Sequence, residues 1–76
     1  MSGMAVDIGS RIATWRTAKG LTRRELAEAI GITPPAVYQW EDGTTMPSTT
    51  NLAAVADALG LTMAKFYGRL PTTKVA

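Results

Sequence analysis

Apolar residues return at helical spacing along most of this chain, and each recurrence is bracketed by residues that start or stop a helix. Ile8, Ile12 and Trp15 make the first stripe, with Asp7 placed to cap its start and Gly20 just past its end, so a helix is expected over about 8–19. Thr22-Arg23-Arg24-Glu25 is a capping box: the Thr22 hydroxyl accepts from the Glu25 amide while the Glu25 carboxylate reaches back. It opens a second helix in which Leu26 and Ile30 stand at i, i+4 beside the small Ala27, and Gly31 breaks the run. Val37 and Trp40, at i, i+3, define the inner face of a third helix that ends at Gly43. Ser48 caps a fourth helix running to about Leu59, with Leu52, Val55, Ala56 and Leu59 on one stripe, and Gly60 closes it. Thr62 caps a short fifth helix, Met63 to Tyr67, stopped by Gly68.

No strand-like alternation interrupts this series, and five of the seven glycines fall at helix ends. Agreement among so many local signals predicts an all-α, five-helix domain over 8–68, after a flexible start at 1–7 and before a short tail at 69–76. The start of the third helix is the one local conflict. Thr33 is a good cap and Pro34 suits the first helical position, yet Pro35 disfavours helical dihedrals at Pro34. The helix therefore begins either at Pro34, capped by Thr33, or one residue later.

Size and composition restrict what such a domain can do. A chain of 76 residues builds one compact core, with no room for a second catalytic or ligand-binding domain. There is no cysteine for a disulfide or thiolate, and no histidine, the commonest general base and metal ligand. An enzyme, a metal site and a cofactor are not expected. Residues 1–10 lack a basic start followed by an apolar stretch, and no apolar run is long enough to span a bilayer, so a cytoplasmic location is expected. The net charge of +2 says little, but its distribution says more. Arg11, Arg16, Lys19, Arg23 and Arg24 fall between Ser10 and the first acid of the second helix, with no acidic residue among them. Basic charge gathered at one edge can hold phosphates while the remainder stays near neutral; the alternative is a solvated helix face.

The second and third helices carry a further requirement. Two helices cross steeply over a three- to four-residue turn only if the contact residue is small and the turn accepts unusual dihedrals, needs that Ala27 and Gly31 meet. Leu26, Ala27, Ile30, Gly31, Ile32, Val37 and Trp40 stand at the spacings of the helix-turn-helix of the lambda-type repressor and Cro family, which the chain resembles. The flanks agree with that pattern: Ile8-Gly9, Arg11-Ile12, Trp15-Arg16, Gly20-Leu21-Thr22, Trp40-Glu41, Gly43, Pro47 and Leu59-Gly60-Leu61. The match covers roughly 8–68.

Steps of 100° from Val37 and Trp40 place Pro35 and Asp42 on the outer face of the third helix, flanked by Pro34, Tyr38 and Gln39. The resemblance implies that this helix lies in the major groove of double-stranded DNA, which makes Pro34, Pro35, Tyr38 and Gln39 the candidates for base readout. Gln39 can pair in bidentate fashion with adenine N6 and N7. Relatives usually carry polar side chains where Pro34 and Pro35 stand. Prolines offer no donor, which leaves apolar contact, such as with a thymine methyl, or a purely structural role at the helix start. Specificity then leans more on DNA shape.

The same resemblance implies phosphate contacts by Arg23, Arg24 and Thr33 around the turn and by Thr44 and Thr45 in the loop after the third helix, setting register without reading sequence. Arg24, like Lys19, is equally readable as a solvated side chain. Asp42 is expected to bond locally, near Thr44. Arg16 and Glu41 are implied to form an ion pair bridging the first and third helices.

Met63, Phe66, Tyr67 and Leu70 form the most apolar surface left unassigned, together with Leu61, and a homodimer through the fifth helix and tail is expected. Family members of this size typically pair on pseudo-palindromic operators with half-sites about 34 Å apart. The function implied is a sequence-specific transcriptional regulator, a repressor in the first instance. An antitoxin-type autorepressor, or a protein-interaction module on the same fold, are the alternatives.

Overall fold

The computed structural model describes residues 7–71. The expectations for 1–6 and for the tail beyond 71 lie outside the described residues. Five helices follow one another: α1 (Ile8–Ala18), α2 (Arg23–Ile30), α3 (Pro34–Asp42), α4 (Thr49–Ala58) and α5 (Met63–Tyr67), and among the described residues there is no strand. α1 and α4 each stop one residue earlier than the apolar stripe suggests, because Lys19 and Leu59 serve as C-caps with φ near −90° and ψ near 0°.

The cap residues behave as local chemistry dictates in four helices. The Ser10 amide donates to Asp7 Oδ1 at 3.0 Å, the Asn51 amide to Ser48 Oγ at 3.0 Å and the Lys65 amide to Thr62 Oγ1 at 3.0 Å. At α2 both halves of the capping box form, Glu25 amide to Thr22 Oγ1 at 3.0 Å and Thr22 amide to Glu25 Oε1 at 2.8 Å. The ordering of Asp7 by the Ser10 amide, and then by the Ser10 hydroxyl, holds its carboxyl below the usual value.

The stripes are buried where their periodicity pointed, with Ile30 at the end of α2 only partly so. Ile8, Ile12 and Trp15 of α1 meet Leu26 and Ala27 of α2, Val37 and Trp40 of α3, and Leu52, Val55, Ala56 and Leu59 from α4 and its cap in one core. α3 packs against both α1 and α2, while α4 packs against α2 and α5 contacts α1 and α4. α5 is held there by polar bonds as well as by packing. Arg11 Nη1 donates to the carbonyls of Phe66, at 2.8 Å, and Gly68, at 2.7 Å, and Trp15 Nε1 donates to the Phe66 carbonyl at 3.2 Å. Those carbonyls belong to the end of a five-residue helix that is too short to stand without tertiary support.

Gly9 sets how closely α1 approaches α3. It is buried, and a Cβ built on it would lie 2.8 Å from the Glu41 carbonyl oxygen and closer still to that of Trp40, both rigid helix backbone. Gly9→Ala must push α1 off α3 and is expected to lower unfolding stability by about 1 to 3 kcal/mol. Urea denaturation followed by Trp fluorescence measures this, with Ala18→Ser on the exposed face of α1 as the control; an unchanged midpoint for Gly9→Ala would refute the close approach.

Candidate nucleic-acid interface

The surface formed by α2, the turn after it and the outer face of α3 begins with one backbone conformation. Gly31 takes the left-handed region at φ 77°, which lets the chain reverse while the Ile32 amide bonds back to the Ala27 carbonyl at 3.0 Å. Ile32 tucks partly into the core, and Thr33, extended at φ −89° and ψ 149°, leads into α3. The helix starts at Pro34, which resolves the alternative left by the sequence, and Thr33 is its N-cap residue.

That cap is made by position and not by the side chain. An N-cap hydroxyl normally accepts from the second or third helical amide. Here the second residue is Pro35, which has no N–H, and the third amide, Ala36, bonds to the Thr33 carbonyl at 3.0 Å. The Thr33 side chain therefore makes no capping bond and stays exposed.

With Val37 and Trp40 turned into the core, the outer face of α3 is left to Pro35, Tyr38 and Gln39, all exposed, and to a half-buried Pro34. Pro34, Pro35 and Tyr38 line an open groove of about 590 Å³ whose other wall is Arg23 and Arg24 of α2. The four readout candidates thus share one surface, with Gln39 exposed on the helix beyond the groove. Arg24 has an exposed side chain and only a 4.0 Å approach to Glu28, one turn on, a pairing that contributes little.

Arg23 and Arg16 converge on Glu41. Arg16 binds its carboxylate with both Nε, 2.6 Å from Oε2, and Nη2, 3.0 Å from Oε1, and sends Nη1 to the Leu21 carbonyl at 2.8 Å. Arg23 Nε donates to Glu41 Oε1 at 2.8 Å. The Glu41 side chain is only 5% exposed and that of Arg16 12%, whereas Arg23 is 46% exposed and lies over the Tyr38 ring, 4.7 Å from its centroid. The expected Arg16–Glu41 bridge is present. That Arg23 joins it, and stacks on Tyr38, had no signal in the sequence, because α2 and α3 must first be docked to bring those side chains together.

Other basic residues part company. Arg11 is bonded to the end of α5, as described above, and Arg16 to Glu41, so of the five basic residues that cluster in sequence Lys19, Arg23 and Arg24 are the exposed ones. After α3, Asp42 Oδ1 accepts from both the amide, 2.8 Å, and the hydroxyl, 2.5 Å, of Thr44. These bonds, the hydroxyl's first, hold the Asp42 carboxyl below its ordinary value. The Thr44 hydroxyl hydrogen proposed for a phosphate is thus used within the loop. Thr45 remains exposed, its amide bonded to the Gln39 carbonyl at 3.3 Å.

The apolar surface at the other end needs one correction. Phe66, expected at a dimer interface, is wholly buried among core residues, because consecutive positions on α5 point about 100° apart and the bonds to the Phe66 carbonyl hold that face inward. Met63, Tyr67 and Leu70 are exposed, at 37%, 41% and 38%, and Tyr67 meets the edge of Phe66 in a T-shaped contact.

A two-helix turn with an exposed second helix, flanked by exposed arginines, defines a DNA-binding domain of the transcription-regulator class. A model described as helix-turn-helix matches residues 12–66, and the chain belongs to that family. Among its relatives is the cryptic phage CTXphi transcriptional repressor RstR of Vibrio cholerae, 34% identical over 67 residues, spanning 88% of this chain and 60% of that protein. Human endothelial differentiation-related factor 1 is 31% identical over 58 residues, 76% of this chain and 39% of that one. The crystal structure of the clp gene regulator ClgR from Corynebacterium glutamicum superposes with a TM-score of 0.76 at 37% identity, covering 79% of this chain and 64% of that chain. The chain spans 60% or less of the length of the curated relatives it matches. Among the described residues no helix is long and apolar enough to cross a membrane, and no group of three acidic residues could hold a metal ion.

Two outcomes follow from the charges. Glu41→Ala strands two guanidiniums, one of them nearly buried, and is expected to cost about 3 to 5 kcal/mol of unfolding stability; a loss below 1 kcal/mol by urea denaturation would show that the bridge contributes little. The depressed Asp7 and Asp42 carboxyls contribute stability fully above the unfolded value, about pH 4, and lose it as pH falls through the lower folded values. In a urea-midpoint series from pH 5 to pH 2, Asp42→Asn is expected to flatten part of the acid decline; an identical slope would remove Asp42 from it.

Proposed function

We propose that this chain is the operator-binding part of a cytoplasmic transcriptional repressor that reads the major groove with α3 and binds a pseudo-palindromic double-stranded site as a homodimer. One observation carries the reading: Tyr38 and Gln39, with Pro34 and Pro35, form an outer helix face free of any core duty, beside two exposed arginines. In this arrangement Gln39 pairs with an adenine through its amide, while Arg23, Arg24, Thr33 and Thr45 meet phosphates on either side of the groove. Arg23 is suited to this because one nitrogen is already fixed by Glu41 and the ring of Tyr38 supports its guanidinium plane. Less freedom is then lost when it engages an anion.

Pairing of two copies is supported by Met63, Tyr67 and Leu70, an exposed apolar set next to the core through Phe66. A second copy also supplies what one recognition helix of this size lacks, a second major-groove contact one helical turn, about 34 Å, along the duplex.

Selection from a random-sequence duplex pool, by electrophoretic shift at two salt concentrations, tests the reading. An enriched inverted repeat, with affinity falling steeply in salt, is the expected result; no enrichment and no binding at low salt would move the domain to a protein-interaction role. On the selected site, Gln39→Ala is expected to lose about 1 to 3 kcal/mol of discrimination at one adenine position. Arg24→Ala is expected to weaken all sequences alike and to lower the salt slope by about one per protomer.

A further inference from the structure

Resting on the DNA-binding reading above, we propose that the groove at the start of α3 recognises the C5 methyl group of a pyrimidine, accepting thymine and 5-methylcytosine and disfavouring uracil and cytosine. The start of a recognition helix normally offers polar groups to base edges, from side chains or from unpaired amides. The first three residues of this helix, Pro34, Pro35 and Ala36, offer neither. Pro34 and Pro35 have no N–H and no polar side-chain atom, and the next amide, Ala36, is taken by the Thr33 carbonyl. The floor of the groove is therefore two pyrrolidine rings and the body of Tyr38.

Part of its polar wall is already engaged. Arg23 is tethered to Glu41 and stacked on Tyr38, so its charge lies along the wall of the groove. With the exposed Arg24 it draws the duplex backbone towards the apolar floor. The apolar group that a major groove displays is the pyrimidine C5 methyl, which thymine always carries and cytosine carries only when methylated. Two proline rings can bury a methyl but cannot donate to O4, N7 or O6, so the base that faces them is distinguished by that methyl. Occupancy of a site with cytosine at this position then rises when its C5 is methylated, which makes binding responsive to the modification state of the DNA.

The test uses the full chain and a duplex retained in the pool selection. Each thymine of one half-site is replaced in turn by deoxyuridine, which removes the methyl and leaves base pairing intact. At the one or two positions facing Pro34 and Pro35, affinity is expected to fall about fourfold, the effect of one buried methyl group. A cytosine placed there should bind about fourfold tighter as 5-methylcytosine than unmodified. The double variant Pro34→Ser, Pro35→Gln, which puts polar side chains where the two rings stand and is checked for helicity by circular dichroism, is expected to bind the deoxyuridine and thymine duplexes alike. A scan within twofold at every position, or a penalty unchanged in a folded double variant, would overturn the inference while leaving operator binding intact. Failure of the wild-type chain to retain any duplex would overturn both.

Discussion

The carboxylate of Glu41 is the interaction on which the geometry of the outer surface depends. It lies near the C-terminal end of α3, almost out of water, and takes Arg16 from α1 in bidentate fashion and Arg23 from the first turn of α2. One side chain thereby links α1 to the two helices that form the candidate interface. A carboxylate so buried requires partners, and two guanidiniums together with the bond from Arg16 to the Leu21 carbonyl leave no buried side-chain polar atom unpaired among the described residues. The same atoms aim Arg23 across Tyr38, so a structural bridge and a candidate phosphate contact are parts of one network. Directly beneath, the approach of Gly9 to the Trp40 and Glu41 carbonyls brings α1 close enough for Arg16 to reach.

The start of α3 shows how one local conflict acquires meaning. Four helices have caps that satisfy their first amides, each through the expected side chain. At α3 the second proline removes the amide the cap would serve, and Thr33 keeps its hydroxyl exposed instead. Stability that a capping bond contributes, typically about 1 kcal/mol, is absent there, and packing of Val37 and Trp40 holds the helix in its place. Local consistency fails at the start of the helix whose outer face is the candidate interface, and functional surfaces are where such failures are expected.

Charge followed a different course. Five basic residues within fifteen positions read as one patch, but α1 distributes its own among three directions: Arg11 to the carbonyls at the end of α5, Arg16 to Glu41, Lys19 to solvent. The cationic part of the interface is correspondingly smaller, centred on Arg23 and Arg24 at the groove. Arg11 gains a role the family pattern alone does not assign it, since it satisfies helix carbonyls that a five-residue helix leaves open.

What the sequence by itself determined was the number of helices, their caps and stops, the buried stripes and the outer residues of α3. Those properties arise within one or two turns of chain, from hydrogen bonds at i, i+3 and from 100° spacing, so they are written locally. The resemblance to a known family added the Arg16–Glu41 bridge, and the structure contains it. Only the tertiary structure decided that Arg23 shares Glu41 and covers Tyr38, that Arg11 is withdrawn to α5, and that Phe66 completes the core. These contacts join residues 15 to 57 positions apart, from Arg23–Tyr38 to Arg11–Gly68, and a side chain's choice among several partners is settled only when packing has fixed which helix faces which.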